Sequence, residues 1–88
     1  MKIKNSLDWQ DCETELKQKI AHVKDTRRQV EARKVLKNFE GMITKLSKLE
    51  MNARTSPSGS LRNVAEQLDL VNQEILNFEQ WLTLLILL

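Results

Sequence analysis

Residues 61–85 read LRNVAEQLDLVNQEILNFEQWLTLL, and within them Leu61, Val64, Leu68, Val71, Ile75, Phe78, Leu82 and Leu85 recur at alternating spacings of three and four. An α-helix turns once every 3.6 residues, so this spacing gathers the eight apolar side chains into one stripe, the seam of a coiled coil. The positions between them hold Arg62, Asn63, Glu66, Gln67, Asn72, Gln73 and Glu74, as a solvated helix face does. The stretch therefore predicts a helix that needs at least one helical neighbour.

Just before it stands Thr55-Ser56-Pro57-Ser58-Gly59-Ser60, the one stretch of strong helix breakers in the chain. Proline lacks a helical donor, glycine loosens the backbone, and serines compete for backbone hydrogen bonds. A turn is expected at 55–60, with Ser60 as N-cap of a helix over 61–88. Upstream, residues 6–52 read as helix, Ser6 serving as N-cap and Asp8 and Asp11 suiting its positive end.

That first helix carries two apolar runs in different phase: Leu16, Ile20, Val23 and Val30, then Val35, Phe39, Met42, Leu46 and Leu49, with Leu36 and Ile43 widening the second. Gly41 lies inside the second run, where it costs about 1 kcal/mol against Ala and permits close approach of a neighbouring helix. About 45 residues at 1.5 Å each give roughly 68 Å for the first helix, against roughly 42 Å for the 28 of the second. In an antiparallel hairpin the second helix covers residues 27–51 and leaves Leu7 to Val23 overhanging with an open apolar stripe. A second layout stays open. Thr26-Arg27-Arg28-Gln29 matches a capping box where the phase shifts, so the first helix can break at Asp25-Thr26 and fold back as the third helix of a small bundle.

Composition agrees with an all-α class: 41% of the 88 residues are apolar, with two Gly, one Pro and no Tyr. A chain this short is a single domain and buries a modest share of its surface, which makes a partner expected. Charge is uneven. Residues 1–16 hold two bases and four acids, residues 17–54 eleven and four, and residues 55–88 one and four, for a net charge of +2. A basic middle facing an acidic second helix favours the antiparallel alignment, although each exposed pair contributes only about 0.2 to 1 kcal/mol.

No constellation for catalysis is legible. His22 and Cys12 are the single residues of their kinds and lie ten apart on different helical faces. A nucleophile needs an adjacent base, and a closed metal shell needs more ligands, so neither an enzyme, a metal nor a cofactor is expected. His22 reads as a solvated residue, and Cys12, in line with Leu16, as a small buried hydrophobe of a seam. A lone cysteine without an apolar leader suggests a reducing, cytoplasmic setting. The apolar stretch Trp81 to Leu88 is far short of the roughly 20 residues of a membrane span.

Being apolar all round, Trp81 to Leu88 cannot be satisfied by one neighbouring helix. In the hairpin it meets the start of the overhang, and the two surfaces become one expected docking face: Leu7, Trp9, Cys12, Leu16, Ile20 and Val23 with Trp81, Leu84, Leu85 and Leu88. Its occupant is a partner's amphipathic helix or a second copy of the chain; plain burial in a three-helix core, with Trp9 as a third-helix core residue, and weak membrane-surface contact are the lesser readings. The chain then reads as a coiled-coil interaction protein, a complex subunit or small chaperone-like adaptor. The basic cluster Lys24, Arg27, Arg28, Arg33, Lys34 and Lys37 supports the alternative, contact with nucleic acid or an acidic surface. Asp25 and Glu31 interrupt it, it wraps around the helix and no aromatic residues are interleaved, so a solvated face that pairs with acids of the second helix or of a partner comes first. Arg27 also falls where the seam passes and would weaken packing there.

By its size, its Pro-containing hairpin turn and its unsatisfied apolar faces, the chain resembles the small helical-hairpin chaperones of bacterial secretion systems. Ile75-Leu76-Asn77-Phe78-Glu79-Gln80-Trp81-Leu82 is similar to the Trp-bearing start of a spectrin-like repeat. Both resemblances imply helical packing, and neither assigns a role to a residue.

Overall fold

The computed structural model describes residues 2–55 and 57–88, with the side chains of 57–60 left aside. A 3-10 turn over Ser6–Asp8 leads into α1 (Trp9–Ala21); α2 (Thr26–Thr55) and α3 (Pro57–Leu87) follow. The all-α reading and the antiparallel hairpin of its two long helices hold, and of the two layouts the three-helix one is formed. The bundle measures 48 × 17 × 16 Å.

The expected first helix over 6–52 is thus interrupted at residues 22–25, without glycine or proline. Local hydrogen bonds make the reversal. The His22 and Val23 N–H groups tighten the last turn of α1 by donating to the Lys19 and Ile20 carbonyls, each at 3.0 Å. Asp25, rather than Thr26, caps α2: its Oδ1 accepts the Arg27 N–H at 2.9 Å and the Arg28 N–H at 3.4 Å. Gln29 does not reach back to Thr26 as a capping box requires; its Nε2 donates to the Ile20 carbonyl of α1 at 3.2 Å. Each orphan group at the junction so answered removes a cost of desolvation. Val23 is buried and pins the corner to the core.

With the chain reversed, α1 lies along the α2–α3 hairpin, and the overhang does not exist. Trp9, Cys12, Leu16, Ile20 and Val23 all face inward and join Leu36, Phe39, Leu46, Val71, Ile75, Phe78, Leu82 and Leu85 in one core. All four aromatic residues form a row through it. The Trp9 and Phe39 rings stack at 5.4 Å, Phe39 and Phe78 lie 5.8 Å apart, and Phe78 and Trp81 5.9 Å apart. Each helix contributes to this row, which ties the three elements at one level.

Ahead of α1 an arm of non-helical chain extends the third layer. Ile3 is buried, and the Asn72 side chain holds its backbone by accepting the N–H at 2.8 Å and donating to the C=O at 2.9 Å. Glu50 accepts both the N–H of Ser6, at 3.1 Å, and its hydroxyl. Asn5, not Ser6, caps the 3-10 turn, taking the Leu7 N–H at 2.9 Å. Beyond Ser6 the hairpin tip has only two layers, which explains why Leu61, first of the seam, is 66% exposed.

The tip itself is tighter than expected. Helix α2 runs to Thr55 and α3 begins at Pro57, a position where the missing proline N–H costs nothing. The backbone of Ser60 is already helical, and its expected capping side chain falls outside the described residues, as does Ser56.

Candidate functional site: two surfaces of the bundle

What the structure leaves open is a different surface from the expected groove. Of the residues assigned to docking, Trp9, Cys12, Leu16, Ile20, Val23 and Leu85 are core, and Trp81 is half-buried between Phe78 and solvent. Leu7 is 82% exposed, but it sits at the hairpin tip beside Met51 and Leu61. It is far from Leu84 and Leu88, which lie at the opposite end of α3. The reason is the corner at residues 22–25: once α1 turns back, its apolar stripe meets its own hairpin.

The first open surface is formed by the last turns of α3. Leu84 is 64% exposed, Leu87 77% and Leu88 89%. Leu84 precedes Leu87 by three residues and Leu88 by four, so the three line one side of the helix, with Trp81 one turn before them. Leu82 and Leu85 point the other way, into the core. This segment serves two faces, as a stretch that is apolar all round must.

The second is the outer side of α2. All six residues of the basic cluster, Lys24, Arg27, Arg28, Arg33, Lys34 and Lys37, are exposed, as are Lys45 and Lys48 further on. Arg27 does not enter the seam. The expected pairing of this basic middle with acids of α3 is absent: among the described residues no ion pair joins α2 to α3. Arg28 is drawn aside to Glu31 at 3.0 Å. The interhelical ion pair that does form links α1 to α3, Lys19 to Glu79 at 3.0 Å. Burial alone would raise the Glu79 carboxyl; hydrogen bonds and nearby positive charge, Lys19's among them, hold it below its ordinary value.

Gly41 lies on this outer side, not at a helix contact. It is exposed, and a Cβ built on it would meet nothing within 4 Å. The close approach expected there is not made, because the second apolar run faces inward through Phe39, Met42 and Leu46 while Gly41 falls opposite.

Cys12 and His22 lie in different surroundings. Cys12 is fully buried, and burial, reinforced by the negative charge of Glu79, pushes its thiol up to about 11. His22 is exposed at the end of α1. Among the described residues no three His, Cys, Asp or Glu side chains gather as a metal centre needs, and no helix is long and apolar enough to cross a membrane. Sequence reasoning missed Ile3, Asn72 and Glu50, which build the arm. A polar residue at a seam flank, such as Asn72, gives no periodic signal. No protein-family model matches the chain, and no curated protein or solved structure matches it either.

Proposed function

We propose that the protein is a non-enzymatic interaction module that docks an amphipathic helix of a protein partner on the last turns of α3. The observation that carries the reading is the exposed stripe of Leu84, Leu87 and Leu88, continuous with half-buried Trp81. Leucines that point outward at helical spacing contribute nothing to the bundle's own core, and apolar patches of this kind mark contact surfaces. The i, i+3, i+4 arrangement matches the anchor spacing by which helices lie on one another. The groove along α1 expected from the sequence has no part in this reading, since its residues are core. A buried, protonated Cys12 thiol is inert as a nucleophile, which supports a role without catalysis.

The test titrates the full chain into a designed Leu-rich amphipathic peptide that is unstructured alone, with helix gain read by circular dichroism. The peptide is expected to fold on the native chain and not on the L84S/L87S/L88S variant. That variant itself should keep its fold, because the three side chains are outside the core. Equal helix gain with both chains, or none with either, overturns the reading.

A further inference from the structure

We propose that the outer face of α2 is a second, electrostatic surface that seats the phosphate backbone of double-stranded nucleic acid without reading its sequence. At 100° per residue, Arg27, Arg33, Lys34, Lys37, Lys45 and Lys48 all fall within an arc of about 120° on the side of α2 that faces solvent. Glu31 and Glu40 lie just outside the two edges of that arc, and no acid falls within it. None of the six bases is ion-paired among the described residues; Glu13 and Glu40 line one cleft with Arg33 and Lys37, and Glu66 lines another with Lys45, at the two margins of the row. From Arg27 to Lys48 the row is roughly 32 Å long, close to one turn of a duplex.

Gly41 stands midway among the four lysines of the row. Its neighbours one and two turns away, at four and seven residues on either side, are Lys34, Lys37, Lys45 and Lys48. Nothing in the bundle explains a glycine there, for the space around it is open. A bare backbone between two pairs of lysines lets a helix settle deeper against a partner, and the major groove of B-form DNA, about 12 Å wide, admits an α-helix flanked by phosphates, unlike the narrow major groove of double-stranded RNA. The occupant follows from what else the surface lacks. The row of four rings runs through the bundle, leaving no platform of stacking aromatics on α2, so single strands are disfavoured. Docking on a membrane surface draws on apolar residues beside the basic ones, and between Arg27 and Lys48, Val30 is the one exposed large apolar side chain on this stripe, with Met51 just past its end.

Fluorescence anisotropy of a labelled mixed-sequence duplex of about 20 base pairs, titrated with the full chain, tests the assignment. Binding is expected at about 50 mM salt and should weaken with a log–log slope of about −4 to −5 if five or so phosphates are contacted. The K37E/K45E variant, whose side chains are exposed and whose fold is checked by circular dichroism, should lose at least tenfold in affinity. R62E on α3 should bind as the native chain does, and so should L84S/L87S/L88S, which separates this surface from the helix-docking one. No binding at low salt, or binding indifferent to K37E/K45E, overturns the proposal. So does tighter binding to a single strand, to vesicles containing one-third anionic lipid, or to a poly-glutamate peptide than to the duplex.

Discussion

The side-chain amide of Asn72 occupies both hydrogen-bonding groups of Ile3, donating to its carbonyl at 2.9 Å and accepting its N–H at 2.8 Å. One residue of α3 thereby does for the arm what a neighbouring strand does in a sheet. Asn72→Ala leaves both peptide groups without that partner, and a loss of about 2 kcal/mol in chemical denaturation is expected. Hydrogen exchange should show the Ile3 amide opening with little change in α2. Protection at Ile3 equal to the native chain's would show that the clamp does not hold the arm.

Gly41→Ala is expected to stabilise the fold by about 1 kcal/mol, since the added methyl meets open space and removes the backbone freedom of glycine in a helix. A destabilised variant in thermal melts would mean that Gly41 is in contact with something the bundle does not show.

Phe39 stands between Trp9 and Phe78, touching a ring on each of the other two helices. Phe39→Ala should therefore cost about 3 to 5 kcal/mol, enough to unfold a domain of this size. Phe39→Leu should remain folded but lose much of its near-ultraviolet circular dichroism, as Trp9 loses its stacked neighbour.

Below neutral pH the Lys19–Glu79 pair predicts part of the stability curve. The folded-state carboxyl titrates below its unfolded value of 4.5, so its contribution is present above that pH and is lost as the pH falls through the lower, folded value. Glu79→Gln should flatten the decline of stability below about pH 4.5, measured by urea denaturation across a pH series. An unchanged acid limb would remove Glu79 from the account.

For Cys12, burial that raises the thiol to about 11 predicts negligible alkylation of the native chain at pH 8 and rapid alkylation in denaturant. Mass spectrometry after iodoacetamide treatment reads both. Labelling of the native chain at the rate of the unfolded one would contradict a core position.

The α2–α3 hairpin was legible in the sequence because Val71, Ile75, Phe78 and Leu82 obey a single helical period, and periodicity is a local signal. The corner at 22–25 was half legible. The phase shift between Val23 and Val35 pointed to it, but Asp25 and Gln29 act through a cap and a cross-helix bond that spacing rules do not encode. Without the corner, the inward face of Trp9, Cys12 and Leu16 read as an open groove, although the same residues were correctly grouped on one stripe. From spacing alone the basic row on α2 is legible only as a cluster, because which side of a helix faces water depends on where its neighbours lie.

Long-range closure of this kind has a consequence for the order of folding. The hairpin grows from contacts close in sequence around its tip; α1 joins it at the corner, where Gln29 reaches Ile20 across 9 residues, but its attachment to α3 and that of the arm span 60 and 69 residues, at Lys19–Glu79 and Ile3–Asn72. Loop-closure entropy makes such contacts form last. They are also the first to open, so α1 and its arm should behave as one cooperative unit that detaches while the hairpin remains. With α1 detached, Phe39 would lose the ring of Trp9 that covers it, and the chain would become the open hairpin that its sequence pattern describes.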